Sequence, residues 1–147
     1  MNMPAEVLRR KNWRSEIVPR WMIVGLSPTD TAYWMYHIRQ QAKVSSLVVE
    51  IRAATALPSP LDQSVRVLAV AGENGSFVDS CQSVRSVREA NSDLPIIVWL
   101  PKHSDHCGSV YLESGASVII TRREQIPSVA ARLLQITSLP TKVATTQ

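Results

Sequence analysis

Apolar runs alternating with stretches of helical periodicity organise this chain. Trp21-Met22-Ile23-Val24-Gly25-Leu26 is continuously apolar, as a strand buried on both faces should be. Ser27-Pro28-Thr29-Asp30 supplies turn residues and a helix N-cap, the role read for Asp30. The spacing predicts a helix over 31–42, because Trp34, Ile38 and Ala42 stand four apart with Met35 beside them. A second strand is predicted at 46–51. Residues 53–64 break the rhythm: Pro58 and Pro60 forbid a long helix. That connection is expected to be a short helix or an irregular coil, although a parallel crossover usually carries a helix. A third strand is predicted at 65–71, and Gly72-Glu73-Asn74-Gly75 marks a turn. Helix 77–91 follows, with Val78, Cys81, Val84 and Val87 or Arg88 along one side. Next come a strand at 94–100, a helix from Ser104 or Asp105 to about Ser114, and a stop at Gly115. A strand within 116–121 and a helix over 125–136 complete the series. Pro127 fits the first turn of that helix. Its expected apolar stripe is Val129, Leu133 and Ile136, flanked by Ala130 and Leu134.

Strand–helix alternation of this kind calls for an α/β fold, a parallel sheet covered by helices on both faces. Five strands in 147 residues fit a flavodoxin-like three-layer sandwich with strand order 2-1-3-4-5. A Rossmann domain has no support, since no G-x-G-x-x-G follows the first strand. With 45% apolar and 19% charged residues, the composition excludes a largely disordered chain. No apolar run approaches the roughly 20 residues of a membrane span. The start, Met1-Asn2-Met3-Pro4, lacks an apolar signal core, so a cytoplasmic location is expected and no membrane association. Cys81 and Cys107 make no disulfide framework. The expected organisation is an N-terminal arm at 1–19, one domain at 20–137 and a polar tail at 138–147.

Charge separates the arm from the body. Residues 1–20 hold Arg9, Arg10, Lys11, Arg14 and Arg20 against Glu6 and Glu16, a net +3 of the chain's +4. A basic arm attracts phosphate backbones or anionic surfaces, but its simplest reading is a solvated leader. Trp13, set among these charges, is the tryptophan expected to make an external contact. Trp34 and Trp99 fall on predicted core faces.

Candidate chemistry is sparse. His103-x-x-His106-Cys107 groups metal-capable types, but zinc needs further ligands and no C-x-x-C exists. Gly72-Glu73-Asn74-Gly75-Ser76 lacks the lysine and hydroxyl of a nucleotide P-loop. Arg122-Arg123 is read as a solvated pair. No nucleophile–base pairing marks an enzyme, so neither catalysis nor a cofactor is expected.

The second half of the chain resembles a response-regulator receiver (CheY-like) domain. The resemblance rests on Leu94-Pro95-Ile96-Ile97-Val98-Trp99-Leu100 and on the run from Leu112-Glu113-Ser114-Gly115-Ala116 to Ile120-Thr121-Arg122. Val84-Arg85-Ser86-Val87-Arg88 is similar to a receiver's third helix. A receiver takes phosphoryl from a histidine kinase onto an Asp, beside acids that hold Mg²⁺. By the resemblance, the acid pair falls here on Gly25 and Leu26 and the acceptor at or near Ala71. The hydroxyl residue falls on Leu100 and the lysine on Arg122, with Arg123 replacing the following proline. None of the first four supplies an oxygen ligand or nucleophile from its side chain. Glu73 is the alternative at the acceptor position if the register is off by two.

The expectation is therefore a degenerate pseudo-receiver, not phosphorylated, acting in signalling by protein–protein contact. The resemblance implies a contact face on the last two helices and the strand between them: Val110, Tyr111, Arg122, Arg132 and Gln135. The partner would be a histidine kinase, a regulator or a second copy in a homodimer. The alternative is a small-ligand or nucleic-acid binding module using the strand C-terminal edge or the basic arm. The emptied corner is expected to be closed by Leu26 or Leu100, with Arg122 turned to water or to a local carboxylate.

Overall fold

A computed structural model describes residues 18–72, 77–101 and 105–138. The elements are β1 (Arg20–Val24), α1 (Pro28–Val44), β2 (Glu50–Ala54), β3 (Val65–Ala71), α2 (Phe77–Ala90), β4 (Ile96–Trp99), α3 (Asp105–Ser114), β5 (Val118–Ile120) and α4 (Ile126–Ser138). A 3-10 turn, Arg123–Gln125, leads into α4. The five strands form one parallel sheet of order β2-β1-β3-β4-β5, the predicted 2-1-3-4-5.

Two apolar clusters sit on the two faces of this sheet. On one face, Trp21, Ile23, Val67 and Ile97 pack against Trp34 and Ile38 of α1 and against Ile126, Ala130 and Leu134 of α4. On the other, Val24, Leu68, Ile96 and Val98 pack against Cys81, Val84 and Val87 of α2 and Tyr111 of α3. Alternate residues of β1 and β3 serve opposite clusters, which is why those strands read as unbroken apolar runs. Burial pushes the Cys81 thiol above its ordinary value, so it stays a neutral core side chain.

Several sequence expectations shift. The N-cap of α1 is Ser27, whose Oγ accepts from the Asp30 N–H at 3.1 Å, so Asp30 lies inside the first turn rather than capping it. The second strand is Glu50–Ala54, four residues later than the apolar run 46–51 suggested. Its register is held at Arg20, which donates to Glu50 Oε1 at 2.8 Å and to Ser64 Oγ at 2.8 Å. Arg20 also helps draw the Glu50 and Asp62 carboxyls below their usual range; for Asp62 the Ser64 hydrogen bonds contribute more. The inward stripe of α4 is Ile126, Ala130 and Leu134, with Val129 and Leu133 beside it, while Ile136 is half exposed. The stripe turns by one position because the helix begins with Ile126 already in the core. Residues 55–64 form no helix, so the β2–β3 crossover is a coil whose Leu57 and Leu61 lean on the second cluster.

Candidate functional site

Parallel pairing brings the C-terminal ends of the strands to a single edge. Val24 pairs with Val70, Ala71 with Trp99, and Trp99 with Ile120. Gly25, Leu26, Ala71, Leu100 and Arg122, drawn from four separate strand ends, therefore leave the sheet along the same border. Gly25 donates to the Ala54 carbonyl at 2.9 Å, Gly72 to Trp99 at 2.9 Å, and Leu100 to Ile120 at 2.9 Å.

Leu100 is buried to 1% exposure within the second cluster. It lies so close over Gly72 that a Cβ built there would stand 2.8 Å from Leu100 Cγ and 3.0 Å from Val98 Cγ1. Only glycine gives the backbone this approach. The Gly72 carbonyl accepts from the phenol of Tyr111, itself fully buried. Leu26 is half-buried on the first cluster, so of the two leucines expected to close the corner Leu100 does so more completely. Gly25 holds φ at 80°, a conformation that strains any side chain larger than hydrogen.

Asp30 organises the rest of the edge. Its Oδ2 accepts from the Trp99 indole N–H at 3.1 Å, and its Oδ1 from Arg123 Nη2 at 3.0 Å. The Arg123 guanidinium also lies 5.4 Å from the centre of the Tyr33 ring, within cation–π range. This corrects the reading of Arg122-Arg123 as a solvated pair: Arg122 is exposed, but Arg123 ties the β5–α4 turn to α1. A carboxylate in a helix's first turn also favours the helix dipole.

These partners are unequal. Arg123 is half exposed, and exposed ion pairs contribute about 0–1 kcal/mol. The Trp99 indole is 4% exposed, and an orphaned buried donor costs about 1–3 kcal/mol. Asp30→Ala is expected to lower stability by about 1–3 kcal/mol and Arg123→Ala by under about 1 kcal/mol in urea titrations. Equal losses would show that the indole contact contributes nothing.

Among the described residues, those at this edge do not fit a divalent cation of the receiver kind. Gly25, Leu26, Ala71 and Leu100 bring no side-chain oxygen, and Asp30 is already bonded to an indole and a guanidinium. Among the described residues no three His, Cys, Asp or Glu side chains cluster as a metal site. His103 and Glu73 lie outside the described residues, as do the side chain of His106 and the arm with Trp13.

The expected contact face is divided. Arg122, Arg132 and Gln135 are exposed and Val110 is half-buried. Tyr111 corrects the expectation: fully buried, it serves the core and the Gly72 carbonyl rather than a surface. Sequence reasoning missed the Asp30–Trp99–Arg123 group. Its members are 69 and 93 residues apart, and no local pattern links them.

This fold is that of a CheY-like response-regulator receiver domain. A CheY-like protein, TadZ, from Pseudomonas aeruginosa superposes with a TM-score of 0.63 at 14% identity, over 78% of this chain and 92% of that one. A receiver-domain protein from Methanospirillum hungatei gives a TM-score of 0.55 at 14% identity, covering 82% and 96%. A CpaE protein from Burkholderia thailandensis, whose name relates it to pilus assembly, gives 0.62 at 7% identity, covering 80% and 98%. No protein-family model and no curated protein sequence matches the chain. No helix among the described residues is long and apolar enough to cross a membrane.

Proposed function

We propose that this chain is a pseudo-receiver, a receiver-fold module that takes no phosphoryl group and regulates by protein–protein contact. The observation that carries the reading is Leu100 seated over Gly72, apolar packing at the corner where phosphoryl chemistry would need hard ligands and a nucleophile. The engagement of Asp30 by Trp99 and Arg123 supports it, since a carboxylate so bonded gives up both to bind a metal. A module without this chemistry retains its surface as its means of action.

The proposed surface is the exposed part of α3, β5 and α4, with Arg122, Arg132 and Gln135 at its centre. The partner is a second copy of the chain or a signalling protein such as a kinase or regulator. Sedimentation across a concentration series tests the pairing of two copies. The wild type is expected to dimerise, and Arg132→Glu with Gln135→Arg to shift it to monomer without changing its melting temperature. A dimer indifferent to both substitutions, or a wild type monomeric throughout, would overturn pairing through this face.

A further inference from the structure

Because the β2–β3 crossover is a coil, one position in the outer layer is unfilled. A cavity of about 250 Å³ opens there between Val24, Leu68 and Val70 of the sheet, Val84 and Val87 of α2, and Leu57 of the coil. It runs into a groove of about 690 Å³ along the flank of α2, sharing Leu57, Ser83 and Val87. The groove reaches Gln63 and Asn91, at the edge of the sheet where β1 and β3 begin and α2 ends. Arg20, the first residue of β1, grips the same turn through Asp62 at 3.2 Å and Ser64 at 2.8 Å. The N-terminal arm therefore joins the domain at the mouth of the groove.

We propose that this groove is the docking site of the chain's own N-terminal arm, which takes the place of the missing crossover helix. Reach is sufficient. Leu8 lies ten residues before Val18, a span of up to about 33 Å when extended. The 14 residues of α2 make a groove about 21 Å long. Chemistry agrees. Val7, Leu8 and Trp13 are apolar groups that the arm offers to the cavity and groove, next to Arg9, Arg10, Lys11 and Arg14. Among the described residues the groove wall bears Asp79 and no lysine or arginine. A tethered segment also binds at high effective concentration, so a modest apolar contact suffices.

The test is amide hydrogen exchange on the full chain, wild type against Val7→Asp with Leu8→Asp, at two protein concentrations. A cooperative melt of the variant checks that the fold is retained. Docking predicts that residues 55–61 and 79–91 exchange about tenfold faster in the variant, equally at both concentrations. Unchanged exchange would overturn the proposal. Protection that disappears on dilution of the wild type would overturn it too, because a second copy would then be the occupant. Ser83→Arg, which places a positive charge on the exposed wall shared by cavity and groove, is expected to raise exchange in 5–14 reciprocally. No change there, in a variant that still melts cooperatively, would also contradict docking.

Discussion

Leu100→Ala is expected to destabilise the protein by about 2–5 kcal/mol, the range for emptying a buried leucine position. Leu100 belongs to the second cluster with Val24, Leu68 and Val98, and its loss leaves Gly72 facing a void. Gly72→Ala fails for the opposite reason. Its methyl group would meet Leu100 Cγ at 2.8 Å, an overpacking that costs about 1–3 kcal/mol. The double variant is the sharper result. The new methyl occupies the space vacated by Leu100, so the two losses should fall short of adding by about 1 kcal/mol or more in urea unfolding. Strict additivity would mean that the two residues do not press on each other, and the account of the closed corner would lose its geometric basis.

Trp99→Ala is expected to cost about 3–5 kcal/mol. The Trp99 ring meets Trp34 edge-on, with ring centres 5.8 Å apart and planes at 85°, a favoured aromatic geometry. Its indole N–H is bonded to Asp30, whereas those of Trp21 and Trp34 are buried with no hydrogen-bond partner among the described residues. Trp99 thus joins the apolar layer between sheet and α1 to the polar edge above it. Trp99→Phe separates these roles. It keeps much of the ring contact and loses the donor, so a loss of about 1–2 kcal/mol is expected from unfolding titrations. Parity between the phenylalanine and alanine variants would assign the whole contribution to the hydrogen bond.

The central strands were legible because burial on both faces writes itself into sequence. Residues 65–71 and the run from Trp21 needed no tertiary information, and the alternation of elements with five strands fitted the flavodoxin-like order 2-1-3-4-5. β2 was not legible. It lies at an edge, where exposed Arg52 and Ala53 do not advertise a strand, and its register comes from Arg20, thirty residues away. The apolar Leu47 and Val49 drew the prediction towards the loop, where they pack on the first cluster. The burial of Tyr111 is not legible in the sequence, because nothing local reveals that its phenol meets a carbonyl 39 residues earlier. Arg122 and Arg123 differ by one position in a turn, and only the 3-10 geometry sends the second to Asp30. At the candidate site, residue types were readable and partnerships were not, since each partnership joins separate strand ends.

The most direct test of a receiver fold without receiver chemistry is the nitrogen–proton spectrum of the labelled protein, titrated with Mg²⁺ and then with beryllofluoride. The account predicts that the amides of Gly25, Leu26, Ala71, Gly72 and Leu100 keep their positions throughout. Mg²⁺-dependent shifts concentrated on those residues, strengthened by beryllofluoride, would contradict it and restore a phosphoryl-accepting site to this corner.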